Sequence, residues 1–169
     1  MERVIIIGSG GAGKSTLARR LGEATGIDVI HLDALFWRPN WTPTPKEEWV
    51  EKVAELVNRD SWIIDGNFGG TRELRMAACD TIIWVDTPRW VCLYRALKRF
   101  VKYRNRSRPD MAEGCNEKFD LDFLRWIWNY PKRIPVLKAQ FDEYKDKTLV
   151  VIRSQDDVEH LLRSVGQKN

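Results

Sequence analysis

A glycine-rich stretch near the amino terminus constrains the fold of this chain more than any other feature. Residues Gly8–Ser15 are Gly-Ser-Gly-Gly-Ala-Gly-Lys-Ser, which fits the phosphate-binding pattern G-x-x-x-x-G-K-[ST] at every fixed position. The β-branched run Val4–Ile7 before it predicts a buried parallel strand, and Thr16–Leu21 after it predicts a helix. Because strand, loop and helix follow in this order, the sequence predicts a protein that binds a nucleoside triphosphate.

The residue types of this loop indicate what each part does. Glycines let the backbone turn its N–H groups inward around an anion, and the following helix adds its positive end. Lys14 is expected to reach the β- and γ-phosphates, and the Ser15 hydroxyl is expected to bind Mg²⁺. The nucleotide-binding residues predicted from the motif are Gly8, Ser9, Gly10, Gly11, Ala12, Gly13, Lys14, Ser15 and Thr16.

Strand and helix signals alternate along the rest of the chain. Further strands are predicted at 27–32, 61–64, 81–85 and 148–152. The segment 34–45 is expected to be irregular, and two prolines predict a break in the helical segment 119–144. The alternation predicts an α/β protein whose five-stranded parallel sheet is covered by helices on both faces.

Length, cysteine content and hydrophobicity limit the class of protein. A chain of 169 residues is expected to form one domain spanning 1–169. No apolar run approaches the ~20 residues of a membrane helix, and the early first strand leaves no room for a signal peptide. Three separated cysteines argue against a disulfide framework or a zinc site and favour a reducing cytoplasm.

Positive charge is concentrated in one segment of the chain. The net charge is +4, but Arg89 to Arg108 contains eight Lys or Arg and no Asp or Glu. Such a local excess predicts an anionic partner at this segment. Other nucleotide-using classes are disfavoured, because no Asp is followed by Gly three residues later, as GTPases require, and a transporter Ser-Gly-Gly-Gln signature is absent from the sequence.

Several motifs together resemble the adenylate kinase-like small-molecule and nucleotide kinases. They are the glycine-rich loop, Asp33 after the second predicted strand, Asp65-Gly66 after the third, and an arginine-rich segment before a polar loop. The resemblance implies the three-layer P-loop NTPase fold with sheet order 2-3-1-4-5 and a mobile lid at about 104–118. It also implies transfer of the γ-phosphoryl group of ATP, with Mg²⁺, to a nucleotide or other small molecule.

A narrower resemblance covers residues 3 to 155, about nine-tenths of the chain. The stretches Leu32-Asp33-x-x-x-Trp37, Trp62–Gly70 and Arg108–Cys115 resemble the topology modulation proteins. That label leaves open a second function, an ATP-binding or ATP-hydrolysing regulator associated with DNA. The basic stretch interleaved with Trp90 and Tyr94 would suit a nucleic acid, since cations track the backbone and rings stack on bases. A nucleic-acid partner is the less favoured of the two.

The kinase resemblance implies roles for the arginines. Arg95 and Arg99 match two arginines that face the triphosphate, and their spacing places both on one helix face. The alternative is a solvated basic face. Arg104, Arg106 and Arg108 fall in the lid, where arginines neutralise charge that develops during phosphoryl transfer.

The carboxylates at predicted strand ends have two interpretations each. Asp33 matches a carboxylate that faces the acceptor hydroxyl in these kinases. It would orient that hydroxyl, accept its proton, or hold Mg²⁺ through a water molecule. Asp86 is a second candidate for holding Mg²⁺ through water. Both would otherwise cap the following turn. His31 shares a strand face with Asp33 and is expected to pack inside the protein.

The expected acceptor site includes two tryptophans. One interpretation is that Trp37 and Trp41 stack on a planar acceptor. The other is that they pack in the core, which is the more common location of tryptophan side chains. Asp65 matches the kinase Asp-Gly pair and is expected to contact the acceptor. Arg72 is a weaker candidate for the same site, because five residues, 67–71, separate it from that pair.

Overall fold

Five parallel strands form the main sheet of the computed structural model, which describes residues 1–104, 106 and 110–166. The strands are β1 Arg3–Gly8, β2 Val29–His31, β3 Trp62–Asp65, β4 Thr81–Val85 and β5 Thr148–Ile152. They pair in the order β2-β3-β1-β4-β5, and every pairing is parallel. The predicted fold class and strand order are therefore confirmed.

Helices connect the strands and cover both faces of the sheet. The α-helices of the described residues are α1 Lys14–Thr25, α2 Leu32–Phe36, α3 Lys46–Val57, α4 Arg72–Ala78, α5 Arg89–Tyr103, α6 Leu121–Asn129, α7 Ile134–Glu143 and α8 Gln155–Gly166. Short 3₁₀ turns lie at Pro39–Trp41, Gly69–Thr71 and Tyr130–Arg133. Among the described residues, no helix combines the length and apolar character needed to span a membrane.

The central strand β1 is buried on both sides because alternate side chains point to opposite faces of the sheet. Ile5 and Ile7 belong to a core cluster with side chains of α3, α4 and α7. Val4 and Ile6 belong to a second cluster with side chains of α1, α5 and α8. All four are fully buried, and burial of each stabilises the fold by roughly 1.5–3 kcal/mol. This double burial explains the continuous β-branched run in the sequence.

The segment after β2 differs from the prediction. The strand β2 ends at His31. The helix α2 then extends into the segment 34–45, which was predicted to be irregular. Leu32 is fully buried, and the Phe36 ring contacts those of Trp49 and Phe68 with centroids about 5 Å apart. Packing of these side chains on the core therefore stabilises a helical turn that local sequence signals do not indicate. As a result, Asp33 lies in the first turn of α2 rather than at a strand end.

A short antiparallel ribbon, also absent from the prediction, follows α2. It pairs Trp37–Arg38 with Thr42–Pro43 across the Pro39–Trp41 turn. Asn40 and Trp41 have φ angles of 61° and 60°, which are uncommon for residues other than glycine. The ribbon places an aromatic hairpin beside the carboxyl ends of the strands.

The helix end predicted at Gly26 and the helix break predicted at Pro131 and Pro135 are confirmed. Gly26 ends α1 with a φ of 73°, the left-handed conformation that glycine adopts without a Cβ penalty. Pro131 lies in the 3₁₀ turn between α6 and α7, and Pro135 lies in the first turn of α7. The helical segment is therefore broken where proline removes a backbone donor.

Asp80 holds the first strand in place and should make the fold sensitive to acid. Its carboxylate accepts hydrogen bonds from the backbone N–H groups of Glu2 and Arg3, both at 2.8 Å, and from the Thr81 hydroxyl at 2.6 Å. Partial burial opposes ionisation, but these hydrogen bonds outweigh it and lower the pKa of Asp80. A carboxyl whose pKa is lowered by folding stabilises the protein above its unfolded pKa, and that stability is lost as pH falls through the folded value.

We therefore expect Asp80→Asn to lower the unfolding free energy at pH 6 and to lose this effect in acid. Urea unfolding of the wild type and of Asp80→Asn from pH 6 down to about pH 2 would show the difference in their unfolding free energies decreasing as the Asp80 carboxyl is protonated. Asp28→Asn, which changes a carboxylate elsewhere, is the control. A difference in unfolding free energy that stayed constant with pH would contradict the stabilising role given to the ionised Asp80 carboxylate.

Candidate active site

The glycine-rich loop between β1 and α1 is enclosed by neighbouring backbone. A Cβ on Gly11 would lie 2.3 Å from the carbonyl oxygen of Cys92, and one on Gly8 would lie 2.5 Å from that of Val85. Gly11 also has a φ of 74°. A larger residue at either position would displace the backbone, so the close approach of α5 and β4 explains why glycine is needed there.

A cavity of about 990 Å³ opens beside this loop and extends along the carboxyl edge of the sheet. Its loop side is lined by Gly10, Gly11, Gly13, Lys14, Ser15 and Thr16. Its other side is lined by His31, Asp33, Trp37, Trp41, Asp65, Asn67 and Phe68. The cavity therefore brings together six of the nine predicted nucleotide-binding residues and most of the predicted acceptor residues, which lie far apart in the sequence. The other three, Gly8, Ser9 and Ala12, are buried and do not line it.

Lys14 lies between the loop and two carboxylates. Its Nζ donates a hydrogen bond to the carbonyl oxygen of Ser9 at 2.9 Å. Burial lowers the pKa of Lys14, while the charges of Asp65 and Asp33 oppose that change. The ammonium group is thus held against the loop at the wall of the cavity.

Asn67 ties the loop after β3 to the start of the glycine-rich loop. Its Nδ2 donates to the Gly8 carbonyl oxygen at 2.8 Å, and its Oδ1 accepts from the Gly8 N–H at 3.3 Å. Asn67 is not among the site residues predicted from the sequence. The pairing joins residues 59 positions apart, so no local pattern indicates it.

Two of the predicted arginines lie against the cavity. Arg95 donates to the carbonyl oxygen of Ala12 in the loop at 3.2 Å, and Arg99 donates from Nε to Glu117 at 3.0 Å. Both line the cavity wall on the same side of α5, as their spacing predicts. Arg95 therefore adds a positive charge beside the loop, whereas the charge of Arg99 is paired with that of Glu117, which also lines the cavity.

The other predicted arginines are placed differently. Arg104 and Arg106 are exposed and do not line the cavity in the part of the chain that the structure describes. Arg104 forms a backbone bridge with Glu117, and the Arg106 carbonyl accepts from the Glu117 N–H at 2.9 Å. Arg108 lies outside the described residues.

His31 and Asp65 form a pair at the far side of the cavity. The two residues face each other in the register of β2 and β3, and His31 Nδ1 lies 2.6 Å from Asp65 Oδ1. The hydrogen bond to Asp65 raises the pKa of His31 more than partial burial lowers it. The His31 side chain is only 17% exposed, in line with the expected packing, but β2 ends at this residue and the imidazole therefore also lines the cavity.

Trp37 and Trp41 line the cavity and lie outside both core clusters. Their rings are in edge contact with centroids 5.6 Å apart. Trp41 Nε1 also donates to the carbonyl oxygen of Asn116 at 3.0 Å. Of the two interpretations left open by the sequence, the structure favours a wall of the cavity over core packing.

Arg72 and Asp86 do not reach the cavity. Arg72 Nη1 donates to Gln140 of α7 at 3.0 Å, so its side chain faces α7. Asp86 accepts from Arg153 Nε at 3.3 Å on the outer side of the sheet edge. Neither side chain is among the residues that line the cavity.

Arg75 is fully buried and organises the loop that carries Asn67 and Phe68. It donates to the carbonyl oxygens of Gly66, Asn67 and Phe68 at 2.9 Å and to that of Thr71 at 3.3 Å. Burial, followed by the charge of Arg72, lowers the pKa of Arg75 to about 9. A buried cation that binds four carbonyls fixes the loop but leaves no local sequence signal.

Replacing Arg75 by Met is expected to destabilise the protein by about 3 kcal/mol, because buried carbonyls left without donors cost ~1–3 kcal/mol each. Urea unfolding monitored by circular dichroism would measure the loss. Arg125→Met is the matched control, since Arg125 and its partner Asp122 are 75% and 90% exposed, and such pairs contribute at most ~1 kcal/mol. Equal effects of the two substitutions would contradict the role given to Arg75.

Comparisons with known proteins are informative at the level of structure. No model of a protein family matches the chain, and no curated protein matches it in sequence. A solved shikimate kinase from Acinetobacter baumannii in complex with shikimate superposes with a TM-score of 0.60 at 18% identity, covering 99% of this chain and 92% of that chain. The chain has the fold of the P-loop kinases.

Two further solved structures extend this P-loop kinase likeness. A shikimate kinase from Bacteroides thetaiotaomicron gives a TM-score of 0.56 at 15% identity, covering 99% of this chain and 97% of that chain. A gluconokinase from Sinorhizobium meliloti 1021 gives 0.55 at 13% identity, covering 98% and 90%. At these identities the likeness concerns the P-loop kinase fold alone.

Proposed function

We propose that this protein is a Mg²⁺- and ATP-dependent kinase that transfers the γ-phosphoryl group to a hydroxyl group of a small molecule. The observation that carries the proposal is the continuity of one cavity from the glycine-rich loop to Asp33, His31 and the two tryptophans. A protein that only hydrolyses ATP needs room beside the nucleotide for a water molecule alone. A cavity of about 990 Å³ has room for a nucleotide and a second organic molecule.

The loop side of the cavity fits Mg²⁺ and a triphosphate. Ser15 stands at the start of α1 and lines the cavity, so its hydroxyl would hold Mg²⁺, with Asp33 acting through water. The close approaches at Gly8 and Gly11 leave no room for side chains on the loop. When bound, Mg²⁺ neutralises charge on the phosphates. Lys14, Arg95 and Arg99 would supply the remaining positive charge, and an arginine lid at about 104–118 belongs to the same proposal.

The other side of the cavity is suited to an acceptor. Asp33 would orient the attacking hydroxyl and accept its proton. Trp37 and Trp41 would contact the apolar face of the acceptor, and Asp65 would hold His31 against its polar groups. The solved shikimate kinase and gluconokinase with this fold support a small-molecule acceptor.

A radiolabel assay tests the proposal. Mg²⁺ and γ-labelled ATP are incubated with the protein and a panel of nucleosides, nucleotides, sugars and hydroxy acids, and the label is followed into product. Transfer to one acceptor class at a rate well above hydrolysis is expected. Hydrolysis alone, with every acceptor unlabelled, would contradict the kinase proposal.

The alternative function is an ATP-binding regulator associated with DNA, as the resemblance to topology modulation proteins suggests. Its support is the basic segment from Arg89 to Arg108. Because Arg95 and Arg99 face the cavity, fewer cations of this segment remain for a nucleic acid. DNA binding that weakens with salt and persists at saturating ATP would favour this alternative.

A further inference from the structure

The outer side of α5 is apolar and exposed. Trp90, Tyr94, Leu97 and Val101 have relative exposures of 62%, 65%, 42% and 73%. We call these four residues the outer stripe. Their spacing of four, three and four residues is the one that keeps side chains on a single seam between two packed helices. Large apolar patches on a protein surface mark sites of interaction.

The outer stripe points directly away from the protein body. Cys92 and Ala96, on the opposite side of the same helix, are buried in the core. Arg99 lies on that inner side as well, against the cavity. With 3.6 residues per turn, the outer stripe and this inner side are about half a turn apart. Among the described residues, the Trp90 ring contacts that of Trp128 of α6, and Tyr94, Leu97 and Val101 are exposed to solvent.

We propose that the outer stripe is the contact surface of a homodimer in which α5 of one copy packs antiparallel on α5 of a second copy. This interaction surface is independent of the kinase proposal. It leaves the cavity open, because Arg95 and Arg99 lie on the other side of the helix.

The stripe is self-complementary in the antiparallel direction. A two-fold axis midway between Tyr94 and Leu97 places these two residues opposite each other and places Trp90 opposite Val101. Each large aromatic side chain then faces a smaller aliphatic one, as close packing requires.

The exposed apolar area is sufficient for a specific dimer. Trp128 of α6 extends the stripe, since its ring contacts that of Trp90 with centroids 4.5 Å apart. A buried aromatic side chain contributes 150–250 Å², so these exposures, with Val91 and Trp128 included, give roughly 600 Å² per copy. Two copies would bury roughly 1,200 Å², which is the lower end of specific interfaces. We therefore expect a dimer of moderate affinity.

Analytical ultracentrifugation over about 1 to 100 μM tests the proposal. The wild-type protein is expected to be dimeric at the upper end, and Leu97→Glu is expected to raise the dimer dissociation constant at least ~30-fold, as removal of a central contact does. Val136→Glu is the matched control, because Val136 is 61% exposed on α7. Circular dichroism confirms that both variants are folded. A monomeric wild type, or equal dimers of wild type and Leu97→Glu, would overturn the proposal.

Cysteine cross-linking tests the antiparallel arrangement. A mixture of Trp90→Cys and Val101→Cys chains is expected to form a disulfide-linked heterodimer on mild oxidation, whereas a mixture of Trp90→Cys and Leu97→Cys chains is not. The native cysteines Cys79, Cys92 and Cys115 are all buried and do not compete. Cross-linking of Trp90→Cys with itself would overturn the antiparallel arrangement. A monomer that binds anionic vesicles or DNA through the stripe would overturn the dimer itself.

Discussion

Replacing Lys14 by alanine is expected to lower phosphoryl transfer by about 10³-fold or more, because charge stabilisation by preorganised cations supplies most of the catalysis in this reaction. The Lys14 ammonium lies within the cavity next to the loop, and Asp33 and Asp65 are close enough to influence its pKa. The measurement is the rate of γ-phosphoryl transfer, or of ATP hydrolysis before the acceptor is known. Isothermal titration with MgATP reports the accompanying loss of binding.

A matched control distinguishes the loss of a specific cation from a general change in charge. Lys132→Ala removes one exposed lysine from the 3₁₀ turn between α6 and α7, away from the residues that line the cavity. We expect it to keep full activity. Thermal unfolding of Lys14→Ala without nucleotide should remain cooperative, because the lysine makes one hydrogen bond to the Ser9 carbonyl. If Lys14→Ala retains activity, the phosphate-binding role of the loop is wrong.

Replacing Asp33 by asparagine is expected to lower kcat for transfer by about 10²–10⁴-fold while leaving the affinity for MgATP nearly unchanged. This is the range of rate lost when a general base is removed. Asparagine keeps the size of the side chain and its ability to hydrogen-bond, but it does not accept a proton. Rapid-quench measurement of a single turnover separates the chemical step from binding.

The control for this substitution is Asp60→Asn, in the exposed turn between α3 and β3. It removes the same charge far from the cavity and should leave both binding and transfer unchanged. A titration of MgATP that shows weaker binding to Asp33→Asn would indicate that Asp33 acts mainly through the metal. Unchanged turnover would remove Asp33 from the chemistry.

Local patterns in the sequence were sufficient for the sheet and for the phosphate loop. The loop motif, the buried run of β1 and the breaks at Gly26 and Pro131 depend on residues that are neighbours in the chain. The i, i+4 spacing likewise predicted that Arg95 and Arg99 share one side of a helix. These features are set by backbone sterics and helix geometry, which short sequences determine.

The placements that the sequence did not predict depend on distant parts of the chain. His31 lies against the cavity because β2 pairs with β3 in a register that sets it beside Asp65, 34 residues away. Arg72 faces α7, where it donates a hydrogen bond to Gln140, 68 residues away. The helix α2 forms because Leu32 and Phe36 pack on the core. Tertiary contacts of this kind leave no periodic signal in one sequence.

The two hydrogen bonds between Asn67 and Gly8 have a consequence for how the two ends of the cavity respond to ligands. These bonds fasten the β3–α4 loop to the first residue of the phosphate loop, and Arg75 donates to carbonyl oxygens of the same segment. Under the proposed function, we therefore expect a ligand that orders one of the two loops to lower the entropic cost of ordering the other. Nucleotide and acceptor are then expected to strengthen each other's binding by the same factor.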